Sequence, residues 1–194
     1  MVVAGPDGAG KTSLATAVVE QLLAAPVLHL HHRPGVLPRS AAAKRENTSP
    51  HEQSPYPRWK SLAKLLYLWA DYQIGWWLRI LPLRRQGGSV LIERGWADIG
   101  VDPRRYRLMD TGSLSGILER LLPRPDLTVI LLADAPTLRA RRTELTAEEI
   151  TRQVDRWRRW AEGRTDALIV DAALHPEAAL AAVDAELRRI TDRR

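Results

Sequence analysis

Gly5-Pro6-Asp7-Gly8-Ala9-Gly10-Lys11-Thr12 matches the phosphate-loop pattern G-x-x-x-x-G-K-[ST] at every position. Glycines in such a loop let the backbone curl so that successive N–H groups point inward at an anion. The pattern carries weight only between a strand and a helix, and both flanks fit. Met1-Val2-Val3-Ala4 reads as a short buried strand. Leu14, Val18 and Leu22 recur at i, i+4 and i+8, a helical stripe that stops before Pro26. That helix would aim its N-terminus at the phosphates. In this motif Lys11 reaches the β- and γ-phosphates and the Thr12 hydroxyl binds Mg²⁺. The stretch predicts a nucleoside triphosphate site, with ATP and Mg²⁺ as the expected cofactors.

Further apolar runs of strand length follow: Val27–Leu30, Ser89–Ile92, Leu127–Ala133 and Ala167–Val170. They are continuous rather than alternating, the signature of strands covered on both faces in a parallel sheet. Helical segments lie between them, at 11–24, about 58–81, 113–122, 136–145, 147–162 and 176–191. The alternation predicts a single α/β domain over residues 1–194: a three-layer P-loop NTPase fold with a five-stranded parallel sheet. Ligands in such folds sit at the carboxyl ends of the strands. Thr146-Ala147-Glu148-Glu149 reads as a capping box that starts a helix. Its apolar face is Ile150, Val154, Trp157 and Ala161; Arg152, Arg156 and Arg159 form a basic face, with Glu148–Arg152 as an i, i+4 pair.

With 194 residues the chain has room for a real core. Its net charge of +6 suits anionic ligands, yet no nucleic-acid-binding motif accompanies it and no nucleic-acid partner is expected. There is no cysteine, which excludes disulfides and thiolate metal sites. His29, His31 and His32 cluster after the second strand, where lining a ligand or packing fits better than a metal site. The aromatic stretch 62–83 is interrupted by Asp71, Gln73 and Arg79, too soon for a membrane span. No signal peptide precedes the first strand, so a cytoplasmic protein is expected. The first strand is short, which leaves open a true start upstream of Met1. The proline-rich stretch 33–57 reads as a long functional or disordered loop.

Among P-loop classes, a GTPase should carry N-K-x-D for guanine, which this chain lacks. A remodelling ATPase usually ends a strand in paired acids. Here the strand Val90-Leu91-Ile92 ends in Glu93-Arg94 instead. An acid followed by an arginine at a strand end suits a phosphoryl acceptor: the carboxylate holds metal water or orients the acceptor, and the guanidinium clamps its oxygens.

Taken in order, these segments resemble the thymidylate kinase family of nucleoside monophosphate kinases. The loop contains the family's D-G-A-G-K-T. Arg33-Pro34-Gly35 is similar to its R-E-P-G, and Leu65–Gln73 (L-L-Y-L-W-A-D-Y-Q) to its L-L-F-x-A-D-R-x-Q. Glu93-Arg94 stands where the family has D-R-Y. Leu131–Pro136, followed by Arg139, Arg141 and Arg142, is similar to its L-D-x-P and to the start of its Arg-rich lid, here about 139–156.

The resemblance implies the site. Gly5, Asp7, Gly8, Ala9, Gly10, Lys11, Thr12 and Ser13 would hold ATP, with Thr12 and Glu93 at Mg²⁺. Asp7 would meet the acceptor's sugar hydroxyl, and Arg94 its phosphate. Arg33, Tyr72, Asp98 and Arg105 complete the expected acceptor site, within a part spanning about 33–110. No Arg or Lys stands among residues 6–9, so the lid must neutralise the transferring phosphoryl group, with Arg139, Arg141, Arg142 or Arg152 as candidates. One of these, Arg141 for example, would instead stack on adenine, whose edge would lie at Ala172. Helix 62–81 is a candidate homodimer interface.

Two departures fall on acceptor recognition. The family's A-D-R arginine, which reads the thymine edge, is Tyr72 here. After Glu93-Arg94 the chain continues G-W-A-D-I-G-V and D-P-R-R-Y-R instead of small polar residues and an amide. That second run grips a ligand or is a turn with exposed arginines. Together with R-P-G-V-L-P at 33–38 and E-L-T-x-E-E-I at 144–150, it resembles a divergent thymidylate-kinase-like branch associated with bacterial surface-polysaccharide genes. The expected function is ATP- and Mg²⁺-dependent phosphoryl transfer to a dTMP-like nucleoside monophosphate. A sugar or sugar-phosphate acceptor, and a nucleotide-binding subunit with little turnover, are the alternatives.

Overall fold

The computed structural model describes residues 1–38, 54–111, 113–141 and 146–193. Five strands form one parallel sheet: β1 (Val2–Ala4), β2 (Val27–His31), β3 (Ser89–Glu93), β4 (Thr128–Leu132) and β5 (Ala167–Asp171). Their order is β2-β3-β1-β4-β5, and each of the five predicted strands is present. The strand that feeds the P-loop is therefore central. Val3 lies beside Glu93 of β3 and Val129 of β4.

Alternation along the strands sends side chains into two cores. On one face Val3, Leu91, Val129, Leu131 and Val170 pack against Leu14, Ala15 and Val18 of α1 (Lys11–Gln21) and Val183 of α8 (Pro176–Thr191). On the other, Val2, Ala4, Ile92, Ile130 and Leu132 meet Ile80, Ala97, Val101 and Trp157. This is the three-layer α/β arrangement expected.

The long helix between β2 and β3 runs as α2 (Arg58–Gly75), a π turn (Trp76–Ile80) and α3 (Leu81–Arg85). After β3 comes α4 (Trp96–Val101) and a 3₁₀ turn (Pro103–Tyr106), neither of them predicted. With α5 (Leu114–Arg120) they enclose a third core of Leu65, Leu68, Tyr72, Trp96, Ile99, Leu108 and Leu118. That core builds the wall beside the P-loop.

α6 (Ala135–Arg141) follows β4, and α7 (Ala147–Ala161) follows it. The capping box is present: the Thr146 hydroxyl accepts from the Glu149 amide at 3.3 Å. The arginines of the basic face of α7, Arg152, Arg156 and Arg159, are exposed. Arg156 donates to the Val101 carbonyl at 3.0 Å, and Arg152 to the backbone carbonyl of Glu148 at 3.3 Å rather than to its carboxylate. Gln153 donates to Asp102 at 3.1 Å. The Arg156 and Gln153 bonds dock α7 onto the segment that carries Asp98 and Arg105. No helix among the described residues is long and apolar enough to cross a membrane.

Candidate functional site

The P-loop joins β1 to α1, and its conformation needs its glycines. Gly5, Gly8 and Gly10 have φ of 131°, 82° and 86°. At Gly5 a Cβ would also collide with the Leu131 carbonyl, so only glycine fits this turn. Lys11 is 5% exposed; its ammonium donates to the Pro6 carbonyl at 2.6 Å and lies 3.7 Å from Asp7. Burial, then the Arg94 charge, lower its pKa.

Glu93, at the carboxyl end of β3, is 4% exposed. It accepts from the Thr12 hydroxyl at 2.7 Å and from His29 at 2.8 Å, with His31 at 3.8 Å. The loop threonine and the strand-end carboxylate, 81 residues apart, thus share one point. Both offer hard oxygen ligands of the kind Mg²⁺ prefers, so the donor set fits that ion. Two of the three clustered histidines contact Glu93. His32 is half-buried, stacked on Tyr106 with ring centroids 4.6 Å apart, and desolvation of its ring pushes its pKa down to about 3. No cluster of three metal-ligating side chains suited to an ion occurs among the described residues.

Asp7 is the hub of the charged groups. Its two carboxylate oxygens accept from Arg94 and Arg105 respectively, the latter from the 3₁₀ turn. Burial alone would raise the Asp7 pKa. Arg94, Arg105 and Lys11 outweigh it and hold the carboxyl well below the usual range. Arg94 has φ 58°, and His32 and Arg107 are also at positive φ. Left-handed backbone at non-glycine residues costs energy and concentrates at functional sites. Here His32 and Arg94 follow directly after β2 and β3, where ligands bind in such sheets.

The expected acceptor residues have specific partners. Arg33 is buried and ion-paired with Asp71 at 3.1 Å. Tyr72 donates its hydroxyl to the His32 carbonyl and meets Trp96 edge-on at 5.6 Å. Arg105 joins the site, whereas Arg104 lies on the rim, 3.4 Å from Glu149, so D-P-R-R-Y-R is only in part an exposed turn. Asp98 is 4% exposed, and burial raises its pKa against the pull of Arg94, Lys11 and Arg105. Ala172 follows β5 and donates its amide to the Leu132 carbonyl at 2.6 Å. Ser13 and Arg139 are exposed. The Arg141 side chain and Arg142 lie outside the described residues, as does most of the expected loop 33–57.

Asp71 stands in the A-D-R resemblance, where the sequence alone suggests no role for it. It is fully buried and accepts from the amides of Gly35 at 2.9 Å and Leu37 at 2.6 Å, besides pairing with Arg33. It thereby fixes the chain that leaves β2. Asp71→Ala leaves Arg33 buried without its counter-charge, a change that typically costs about 3–5 kcal/mol. A denaturant-melt midpoint close to wild type would contradict that structural role.

No protein-family model matches the chain, and no curated protein matches it. Among solved structures it is similar to thymidylate kinase from Ehrlichia chaffeensis, with a TM-score of 0.66 and 18% identity over 96% of each chain. At that identity the likeness is one of fold. The chain has a thymidylate-kinase-like P-loop NTPase fold.

Proposed function

We propose that this protein is an ATP- and Mg²⁺-dependent phosphotransferase that carries the γ-phosphoryl group to a phosphate-bearing acceptor, a dTMP-like nucleoside monophosphate first. The observation that carries the reading is the meeting of Thr12 and Glu93 at 2.7 Å beneath a complete P-loop, with Arg94 next in sequence. Thr12 and Glu93 would hold Mg²⁺, which supplies neutralisation of phosphate charge when bound. The loop amides and Lys11 hold the triphosphate, for which Lys11 must release the Pro6 carbonyl. Arg94 and Arg105 bind the acceptor's phosphate. A bond forms from an acceptor oxygen to the γ-phosphorus as the bond to the bridging oxygen breaks and ADP leaves. Arg139 and its neighbours are the candidates for stabilising the charge in flight. An enzyme of this kind acts in the cytoplasm.

A sugar-phosphate acceptor in a surface-glycan pathway is the second reading. It is favoured by Tyr72, whose hydroxyl is committed to His32 at the position where the thymidylate kinase family carries a base-reading arginine. ADP release from Mg·ATP with dTMP, other nucleoside monophosphates, sugars and sugar phosphates tests both. ATP binding without acceptor-stimulated release would make the protein a nucleotide-binding subunit.

The long helix exposes Trp59, Leu62, Leu66, Ile74, Trp77 and Leu78, with Trp77 at 62%. So many large apolar side chains exposed along one helix suit an interface, and we assign it to a homodimer. Sedimentation should give a dimer, and Leu66→Glu should weaken it by about 30-fold or more. A monomeric wild type would reject the assignment.

A further inference from the structure

Asp98 sits in the first turn of α4, one turn beyond Arg94, and its Oδ2 is enclosed without a hydrogen-bond partner. Buried carboxyl oxygens are rarely left so. The surrounding groups are engaged elsewhere. Arg94 and Arg105 donate to Asp7, and Lys11 to the Pro6 carbonyl. Asp102, one turn further on, caps the 3₁₀ turn through the Arg105 amide and takes Gln153. The Tyr106 hydroxyl is 3.3 Å from His32 Nδ1, and Tyr72 donates to the His32 carbonyl. An acceptor oxygen that stays free among committed donors is one that a ligand's own donor satisfies.

The chemistry of that donor follows from the rest of the wall. A nucleobase edge presents donors and acceptors together, and reading it takes an amide or guanidinium. On this wall Tyr72 and Tyr106 have partners and the nearby arginines are turned to Asp7. A hydroxyl needs only an acceptor oxygen, which the Asp98 carboxyl supplies. We propose that Asp98 recognises a hydroxyl of the phosphoryl acceptor, so that the acceptor is selected as a phosphate-bearing polyol through its sugar rather than its base. The inference rests on the phosphotransferase reading above. The polyol is either the pentose of a nucleotide or a free sugar phosphate.

The test uses full-length protein and probe pairs that differ by one hydroxyl: dTMP against 3′-deoxythymidine monophosphate, UMP against dUMP, and glucose 1-phosphate against its 2-deoxy analogue. Acceptor-dependent ADP release gives kcat/KM, and fluorescence of a methylanthraniloyl-ATP gives Mg·ATP binding separately. In the wild type at least one pair should favour the hydroxylated member by about 10²-fold or more. Asp98→Leu, which removes both acceptor oxygens at similar size, should abolish that preference by lowering kcat/KM for the hydroxylated member, with Mg·ATP binding unchanged. The responding pair identifies nucleotide or sugar phosphate as the source. A preference that survives Asp98→Leu overturns the proposal, as does a wild type that binds Mg·ATP yet favours no hydroxylated probe. A wild type that does not bind Mg·ATP overturns the phosphotransferase reading itself. Should Asp98→Leu not melt as a folded protein, Asp98→Ala is read in its place.

Discussion

Lys11→Ala is expected to lower acceptor-dependent ADP release by about 10²–10³-fold or more, the loss typical of one donor aimed at transition-state charge. Lys11 is the one cationic side chain inside the P-loop motif, and it is 5% exposed. In a site so dry its charge is little screened. The fold should survive the change. The loop geometry is set by Gly5, Gly8 and Gly10, and Asp7 keeps its bonds to Arg94 and Arg105. Single-turnover transfer and a thermal melt separate the two effects. Transfer at wild-type rate in a folded Lys11→Ala protein would remove the P-loop from the chemistry.

Arg94→Ala should raise acceptor KM and lower kcat together. A hydrogen bond to a charged group contributes about 1.5–3 kcal/mol, so losing a two-pronged clamp lowers kcat/KM by about 10²-fold or more. The backbone at Arg94 adds a reason to expect a role in function. Its φ of 58° is held by the amide's 2.9 Å bond to the Val3 carbonyl and by His32 Nδ1, 3.2 Å from its own carbonyl. Arg94→Lys keeps the charge and loses the fork, and should recover only part of the loss. An acceptor KM unchanged in Arg94→Ala would take Arg94 out of the acceptor site.

The strands were legible because each is a short, uninterrupted apolar run, and such runs need no partner to be recognised. Helix α4 was not. Its six residues include Gly100 and show no apolar stripe; burial of Trp96, Ile99 and Val101 against neighbouring elements holds it. The π turn at Trp76–Ile80 escaped for a related reason, since a 3.6-residue period does not foresee a wider turn. In the site, the loop and Glu93-Arg94 could be read because their chemistry lies in adjacent residues. The bond from Asp7 to Arg105 crosses 98 residues, and that from Thr12 to Glu93 crosses 81. Arg33 shows the limit in the other direction. It was expected at the acceptor, and the structure pairs it with a carboxylate supplied 38 residues later, Asp71.

The Asp7 carboxylate already sits among Lys11, Arg94 and Arg105. On the proposed phosphotransferase reading, a phosphate arriving there would trade places with a resident anion, so its recognition would be an ion exchange. A monovalent anion such as chloride brings no more charge than the carboxylate it would displace. A phosphate monoester near neutral pH brings close to two, and only such a ligand gains from the swap. On that reading the loop's own aspartate would set a charge threshold for entry.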